Sequence, residues 1–436
     1  MSDPRVVSIP PGAAFLPTLA DSLLSGALVP DFSADGDPLA LAGVTIYVPT
    51  RRAARALRAI FADRAPAGAS ILPVVKPLGE FDEDEAVFGE DDSAALELAP
   101  PISALDRLLY LTPLVHAWKQ RLPAHVAQLF QEPVVVPASP ADAIWLSRDL
   151  AALMDEIETE GAGWQGLAGL APDSLSGWWQ VTLEFLGIVT KHWPDFLAAR
   201  QQSNPAAHRN ALIRLEAERL RNNPPAGPVI AAGSTGSIPA TAELLAAIAR
   251  LPMGAVVLPG LDRALDDRAW SVLAAELPRP AILGHPQFGL AKLLRRIGLT
   301  RADVTEIGAA TPALSLRAAL VSESLRPAET TDEWAERRAA LPDADVAEAL
   351  SRVSLVEAPR ERDEAVAIAL ALREAVEEPG RRAALVTGDR ELARRVSTEL
   401  LRFGVRADDS GGTPLAKTPP ATLLTLLVQA AFEPGD

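Results

Sequence analysis

The sequence predicts an α/β protein whose strands pair in parallel, with a helical segment inserted into the first sheet domain. Short apolar runs alternate with amphipathic segments over residues 1–80, in the order VVSI, FLPTLADSLL, VTIYVPT and RRAARALRAIF. The alternation resumes at VIAAGSTGS and AVVLPGLD, and again from about Ser351. Strands that alternate with helices in this way build parallel sheets. We therefore expect two similar sheets along the chain.

Changes in pattern divide the chain into four predicted segments. Residues 1–95 form the first part of a sheet domain and include the acidic run EFDEDEAVFGEDD, which we interpret as a solvated loop. Residues 96–225 carry apolar residues at three- and four-residue spacing and form a helical insertion, with one helix start at Ser139. Residues 226–345 complete the first sheet domain and add a connection. Residues 346–436 begin a second, incomplete sheet domain, so we expect a fragment or a chain that needs a companion subunit.

Composition limits the chemistry that the chain can perform. Its 436 residues include no cysteine, which excludes disulfides, thiolate zinc sites, Fe–S clusters and cysteine nucleophiles. The five histidines are scattered without the spacing of metal ligands. No apolar run is long enough for a membrane span and the first residues lack an export signal, so we expect a cytoplasmic protein without membrane contact. The net charge of −16 argues against nonspecific wrapping of nucleic acid.

Four polar turns follow predicted strands, at the sheet edge where helix N-termini bind ligands in α/β proteins. The first turn is PPGAAF, made of Pro10, Pro11, Gly12, Ala13, Ala14 and Phe15. A phosphate-binding loop at this place needs several glycines, a lysine for the terminal phosphates and a hydroxyl for Mg²⁺. Gly12 is the one glycine of the turn, and the two prolines have no N–H to donate. ATP hydrolysis at this turn is therefore not expected.

The second turn, PTRRAAR, begins the helix after VTIYV. Thr50 can cap that helix, and Arg51, Arg52 and Arg55 project from its first turns. An anion such as a DNA phosphate would also meet the positive end of the helix dipole there. These residues are candidate DNA contacts. A solvated helix face, with Arg51 and Arg55 four residues apart, is the alternative interpretation.

The other two turns offer polar groups without a catalytic arrangement. AGSTGS, with Ser234 and Thr235, suits a bound phosphate or a tight strand-to-helix turn equally well, and the strand VIAA before it lacks the Asp-Glu pair of motor ATPases. In TGDRELARR, Asp389 is predicted to cap a helix and Arg390 is a candidate DNA contact. No catalytic residue is predicted, because no carboxylate pair or Ser-His-Asp order stands out.

The chain resembles the AddB-type subunits of bacterial AddAB helicase-nucleases, which repair double-strand DNA breaks. The resemblance lies in TIYVPTRRAARALR, in PVIAAGSTGSIPATAELLAAIARLP followed by VVLPGLD, in HPQFGLAKLL, in SESLRPAETTDEW, and in LVTGDRELARRV with DDSGGTPLAKTPP. These segments span essentially the whole chain. The resemblance implies two RecA-like domains of the superfamily 1 helicase fold, each with a helical insertion.

The resemblance also implies roles for the turns. PPGAAF stands at the phosphate loop of that fold, and its missing lysine implies an inactivated helicase domain that guides DNA. An AddA-type partner would use ATP and Mg²⁺ to drive translocation, so no cofactor is expected in this chain. Thr50, Arg51 and Arg52 match the strand-end motif that touches single-stranded DNA in such helicases. Ser234 and Thr235 lie near the lost Mg²⁺ motif and are candidate DNA contacts as well.

One departure from the family limits what the resemblance implies. AddB-type subunits are much longer and end in a PD-(D/E)xK nuclease domain, in many members with an Fe–S cluster held by cysteines, and nothing in this sequence matches that domain. We therefore expect an amino-terminal portion without nuclease activity that binds DNA ends or single strands together with an AddA-type subunit. Two alternatives stay open: an active ATP-dependent helicase with an unorthodox phosphate loop, and a partner-binding scaffold without DNA contact.

Overall fold

The structure is a computed structural model that describes residues 3–30, 32–34, 37, 39–64, 71–78, 98–122, 124, 128, 137–164, 176–412 and 414–432. The chain divides into two units, Met1–Ser351 and Arg352–Asp436. The acidic run EFDEDEAVFGEDD, predicted to be a solvated loop, lies outside the described residues.

A six-stranded sheet forms the centre of the first unit, and each strand is parallel to its neighbours. The strands are β1 (Val6–Ile9), β2 (Thr45–Val48), β3 (Val74–Pro77), β4 (Val229–Ala232), β5 (Gly254–Pro259) and β6 (Thr305–Glu306). Their order in the sheet is β3-β2-β4-β5-β1-β6. The register pairs Val7 with Val257 and Ile46 with Ile230. The predicted α/β class with a parallel sheet is confirmed.

Helices cover both faces of this sheet because its strands are apolar on both sides. The described helices of the first unit are α1 (Phe15–Leu24), α2 (Arg51–Arg64), α3 (Ala104–Trp118), α4 (Pro140–Thr159), α5 (Ser176–Gly187), α6 (Trp193–Arg200), α7 (Pro205–Asn222), α8 (Pro239–Ala249), α9 (Asp267–Leu273), α10 (Phe288–Ile297), α11 (Pro312–Ser324), α12 (Trp334–Ala340) and α13 (Asp343–Leu350). α1 and α2 bury Leu23 and Phe61 against one face of the sheet. α7, α8 and α10 bury Ile213, Leu245 and Leu293 against the other face. Each such side chain contributes about 1.5–3 kcal/mol of hydrophobic stabilisation.

The chain leaves neighbouring strands toward opposite faces, and this creates crevices at the carboxyl edge of the sheet. β1 and β2 lead into α1 and α2 on one face, whereas β4 leads into α8 on the other face and the chain after β5 reaches α10 there. In the sheet, β1 lies beside β5 and β2 lies beside β4. Ligands of open α/β sheets bind where adjacent connections diverge in this manner. A ligand site is therefore expected at the turns after these four strands.

A buried hydrogen-bonded group ties β2 to α7. The Tyr47 hydroxyl donates to Glu216, and Arg219 Nε donates to Glu216 Oε2 at 2.7 Å. Burial alone would raise the pKa of Glu216, but the hydrogen bonds from Arg219 and Tyr47 outweigh burial and lower the pKa. Burial and the adjacent carboxylate raise the pKa of Tyr47. A fully buried carboxylate is thus ionised and paired, as a low-dielectric interior requires.

The described helices α3–α7 lie between β3 and β4 in the chain; α3–α6 share a core of their own, whereas α7 packs against the sheet. That core includes Leu111 of α3, Leu150 of α4 and Trp193 of α6. The predicted helix start at Ser139 is confirmed, because Asp142 N donates to Ser139 Oγ at 3.2 Å and the Asp142 carboxylate accepts from Ser139 N at 2.9 Å. This reciprocal capping satisfies amide groups that the helix itself leaves unpaired.

The second unit is helical in its described part, and the strands expected for a second sheet do not form among its described residues. It contains α14 (Glu361–Glu377), α15 (Arg390–Leu401) and α16 (Pro419–Phe432), and α14 and α15 pack through Ala369 and Leu400. The apolar runs at Leu355 and Val386, predicted as strands, are 87% and 93% exposed and pair with no strand among the described residues. Apolar β-branched runs predict a strand, but pairing needs neighbouring strands. Among the described residues, no helix combines the length and apolarity needed to cross a lipid bilayer.

Candidate functional site

The predicted phosphate loop forms a tight turn at the carboxyl end of β1. Ala13 N donates to Pro10 O at 3.2 Å, and Gly12 adopts a positive φ of 89°. α1 begins at Phe15 after Ala14, whose side chain gives no cap. The turn therefore offers a phosphate few backbone donors and no lysine or hydroxyl of its own.

α11 lies over this turn. A Cβ atom placed on Gly12 would come within 2.8 Å of Leu314 Cβ and 3.4 Å of Ala310 Cβ. Nearby, a Cβ atom placed on Gly308 would come within 2.6 Å of Thr18 Cγ2. Backbone that binds phosphate needs open space beside its glycines, so that the ligand can approach closely. Here Leu314 occupies the space beside Gly12, so a phosphate cannot approach the backbone of the turn at that glycine.

A cavity of about 490 Å³ lies between the β1 turn, the loop after β5 and α11. The two arginines in its lining are held by backbone carbonyls, since Arg263 donates to Val304 O at 2.7 Å and Arg317 donates to Ala349 O at 2.8 Å. Ser322 Oγ, also in the lining, is buried and has no hydrogen-bond partner among the described residues. The cavity thus lies beside the β1 turn, and both arginines in its lining are already bonded to backbone carbonyls.

Gln287 and His285 connect the loop after β5 to the end of α11. Gln287 Oε1 accepts from Asp262 N at 3.0 Å, and Gln287 Nε2 donates to Gly260 O at 3.0 Å. His285 Nδ1 accepts from Gln287 N at 3.1 Å, which assigns the ring proton to Nε2, 2.8 Å from Leu325 O. This chain of hydrogen bonds fixes α11 relative to the sheet edge.

A buried ion cluster fixes the same end of α11. Arg326, whose side chain is fully buried, donates from Nε to Glu323 Oε2 at 3.1 Å and also binds Asp266. Arg337 lies 2.7 Å from the Asp266 carboxylate. Burial alone would raise the pKa of Asp266, but hydrogen bonds from Ala269 N and Arg326 outweigh burial and lower it. The cluster is not evident in the sequence, because Asp266 lies 60 residues before Arg326 and their pairing depends on the fold.

The turn after β2 is open where the turn after β1 is closed. Thr50 Oγ1 accepts from Ala53 N at 3.1 Å, which confirms the predicted cap of α2. Arg51 is half-buried, whereas Arg52 and Arg55 are exposed, and the first turn of α2 has no acidic residue. Arginines at this end of a helix oppose the helix dipole, and a bound anion would relieve that repulsion. The predicted DNA contacts on α2 therefore lie at the carboxyl edge of the sheet in a geometry that suits an anion.

Phe15 brings three of the four predicted turns together. A Cβ atom placed on Gly233, which follows β4, would come within 3.4 Å of Phe15 Cε1 and 3.5 Å of Pro49 Cδ. Phe15 belongs to the β1 turn and Pro49 to the β2 turn. The β4 turn thus packs against both, and the three form one continuous edge.

Ser234 stabilises the β4 turn through its hydroxyl. Ser234 Oγ accepts from Gly236 N at 3.3 Å. Thr235 packs against α10, since a Cβ atom placed on Gly289 would come within 3.4 Å of Thr235 Cβ. Of the two interpretations of AGSTGS, the geometry favours the tight strand-to-helix turn.

Arg390 lies in the second unit, where it orders a loop. Its two terminal nitrogens each donate to the Asp409 carboxylate at 3.0 Å, and one also donates to Gly412 O at 2.9 Å. Hydrogen bonding to Asp409 raises the pKa of Arg390. Asp389 Oδ1 accepts from Glu391 N at 2.8 Å, which confirms the predicted helix cap. A DNA contact by Arg390 stays a prediction, and it would compete with this ion pair.

The described residues contain no group of three or more acidic or histidine side chains placed to hold a metal ion. Most shifted carboxyl pKa values lie below the ordinary range because of capping or ion pairing. Glu158 of α4 differs, since burial raises its pKa. Sequence analysis did not identify Glu158, which looks like any other glutamate near a helix end.

No protein-family model matches this chain, and a search of curated proteins gave no match.

Proposed function

We propose that this chain is a noncatalytic, helicase-like module of a cytoplasmic AddAB-type complex, which binds and guides DNA during double-strand break repair. The proposed fold of the sheet unit is a RecA-like domain of the superfamily 1 type, with α3–α7 as its helical insertion. One observation carries the proposal. At a single sheet edge, Leu314 covers the turn after β1, whereas the arginine-rich turn after β2 is exposed.

The covered turn supports the noncatalytic part of the proposal. Phosphoryl transfer needs a cradle of backbone amides, a lysine and a bound Mg²⁺. The β1 turn has Pro10 and Pro11 in place of amide donors, and Leu314 in place of the phosphate. An AddA-type partner would bind the ATP and Mg²⁺ that move the complex.

The open turn supports DNA guidance. Arg52 and Arg55 are exposed beside the N-terminal end of α2, where backbone amides and the helix dipole attract a phosphate. Because the whole chain carries a charge of −16, binding must depend on this local positive group rather than on a long-range field. Such binding is sequence-independent and weakens as salt is added.

The test is DNA binding by the complex of this chain with its AddA-type subunit. Fluorescence anisotropy with single-stranded DNA and with duplex ends is recorded from low to moderate salt. Replacing both Arg52 and Arg55 with glutamate should weaken binding by about tenfold or more and reduce the salt slope by about two. Replacing Arg352 and Arg362, exposed arginines of the second unit, makes the same change in net charge and should leave binding within about twofold.

Three outcomes would contradict the proposal. Unchanged DNA binding together with failed assembly of the Arg52 and Arg55 variant would favour the scaffold function, to which the acidic charge of the chain is suited. No affinity of the wild-type complex for DNA at low salt would exclude guidance. DNA-stimulated ATP hydrolysis by the purified chain, abolished by changes at Gly12, would favour an active helicase.

A further inference from the structure

A second cavity lies among the helices between β3 and β4. Its volume is about 730 Å³, and α4, α6 and the start of α7 contribute to its lining. The apolar part of the wall includes Trp164, Leu186, Trp193 and Leu197. Ligand pockets of proteins have this size and this mixture of aromatic and aliphatic walls.

Glu158 of α4 supplies a carboxylate to this cavity. Asn204 Nδ2 donates to Glu158 Oε1 at 2.6 Å. Oε2 is buried, and although the Ala207 amide lies close enough to favour the ionised carboxylate, neither it nor any other described group forms a hydrogen bond of normal geometry to Oε2. A buried carboxylate oxygen without a hydrogen bond is destabilising, because it has lost its contacts with water and gained no donor in return. This destabilisation disappears if a ligand donates to Oε2.

The side chain of Asn204 is committed to orienting this carboxylate. Trp193 Nε1 can only donate, and it donates to Asn204 Oδ1 at 2.9 Å, so Asn204 must direct its amide nitrogen toward Glu158. Asn204 stands at the N-cap position of α7, yet its side chain makes no cap hydrogen bond. An asparagine in that position ordinarily caps its own helix. Asn204 therefore leaves α7 without a side-chain cap and instead takes part in the Trp193–Asn204–Glu158 chain of hydrogen bonds.

Two backbone features also lie at this cavity. Ile188–His192 forms a π-helical turn between α5 and α6, and its Val189 and Thr190 line the cavity. Gln201, directly before the lining residue Gln202, has φ of 53°, the one positive φ among the described residues other than glycine. π-helical turns are frequent at functional sites. The left-handed Gln201 ends α6 as a common type of helix C-cap.

We propose that this cavity binds a small organic cation, namely a primary ammonium group attached to an apolar ring or chain. The ammonium group would donate to Glu158 Oε2, and the apolar part would lie against Trp164, Trp193 and Leu197. A compact ammonium fits one accepting oxygen, whereas a guanidinium prefers to bind both oxygens in parallel, and Asn204 already occupies Oε1. This site is independent of the DNA-guiding function.

The charges around Glu158 determine how binding depends on pH. Burial raises the pKa of Glu158, and Asp155 of the same helix acts in the same direction. Arg107 of α3 and the hydrogen bond from Asn204 act in the opposite direction, as does the Ala207 amide. An ammonium ligand needs the ionised carboxylate. Affinity should therefore be full above the raised pKa of Glu158 and should fall as the pH drops through it.

The experiment is titration calorimetry of the full chain with benzylamine, and with benzyl alcohol as the neutral analogue. Benzylamine should bind about tenfold or more tightly than benzyl alcohol, and its affinity should decrease on acidification. Glu158→Gln should remove both the preference for the amine and the pH dependence. Glu156→Gln, at an exposed position of the same helix, should retain both.

A second variant tests the cavity independently, in case Glu158→Gln does not fold. Ala198 lines the cavity but is exposed, so Ala198→Phe can narrow the cavity without disturbing the core. It should lower benzylamine affinity by about tenfold, whereas Ala199→Phe, at the next exposed position, should not. Equal binding of the two probes, absence of amine binding by the wild type, or an amine preference that survives Glu158→Gln would each overturn the proposal.

Discussion

The turns after β1 and β2 have the same topology but opposite surroundings. Each follows a buried parallel strand, and each leads into a helix on the same face of the sheet. The first is covered, because Leu314 occupies the space beside Gly12. The second exposes Arg52 and Arg55 next to a helix that Thr50 caps. Position in the fold therefore does not determine chemistry. The residues that line each turn, and the element packed over it, decide which ligand can approach.

The covered turn depends on the placement of α11, which two sets of contacts maintain. The Arg326 cluster binds the end of α11 to the start of α9, and His285 reaches Leu325 O from the other side. The open turn has no comparable element over it in the described part of the chain. Three substitutions therefore test the difference between the two turns. They remove a contact that holds α11, crowd the contact between Gly12 and Leu314, and remove the cap of α2.

The largest effect is expected from Arg326→Met. The substitution leaves Asp266, Glu323 and Glu333 close together without the buried cation that lies among them. Removing one partner of a buried ion pair lowers the free energy of unfolding by about 3–5 kcal/mol. Urea denaturation measures the change.

The matched control is Arg338→Met. Arg338 pairs with Asp343 at the surface, where both side chains are more than half exposed, so the loss should stay below about 1 kcal/mol. Equal losses in the two variants would show that the Arg326 cluster does not hold α11 in place. The covered state of the β1 turn would then need another explanation.

A smaller effect is expected from Gly12→Ala. The new Cβ would lie 2.8 Å from Leu314 Cβ, and the residue would keep a positive φ. Overpacking and left-handed backbone strain together should lower the free energy of unfolding by about 2–3 kcal/mol. Gly161→Ala is the control, since Gly161 also has a positive φ but its nearest contact would be Pro239 Cγ at 3.9 Å. The free energy of unfolding of Gly161→Ala should fall by only about 1 kcal/mol. If Gly12→Ala and Gly161→Ala lower the free energy of unfolding equally, α11 moves away from the β1 turn easily, and the turn is not closed.

Much of the sheet unit could be predicted from local sequence. The runs at β1, β2, β4 and β5 are short, apolar on both faces and bounded by turn residues, which is typical of buried parallel strands. β6 was not predicted, because Thr305 and Glu306 form a two-residue polar edge strand without periodicity. The runs at Leu355 and Val386 have strand-like composition but no partner strand in the described part of their unit. Composition indicates that a segment can form a strand. It does not show whether a neighbouring strand is present to pair with that segment.

The candidate sites also combine features that local sequence predicts with features that it does not. The cap at Thr50, the arginines after it and the missing lysine of the β1 turn are local features, and the sequence predicted them. The cover provided by Leu314, about 300 residues after Gly12, is not visible in any window of sequence. Glu158 was missed for a related reason, since only its burial beside Asn204 distinguishes it from a solvated helix glutamate. Chemistry that depends on long-range packing requires the structure.

The smallest effect is expected from Thr50→Ala, which tests whether the open turn is preorganised. The substitution removes the acceptor for Ala53 N and should lower the free energy of unfolding by about 1 kcal/mol. Thr311→Ala is the control, because Thr311 occupies the N-cap position of α11 without making a side-chain cap. Equal losses would mean that the Thr50 hydroxyl does not stabilise the start of α2. If Thr50→Ala also weakens DNA binding while Thr311→Ala does not, the cap holds Arg52 and Arg55 in a binding geometry. If binding is unchanged, the exposed arginines act as mobile charges, and the order of the helix start is unrelated to DNA contact.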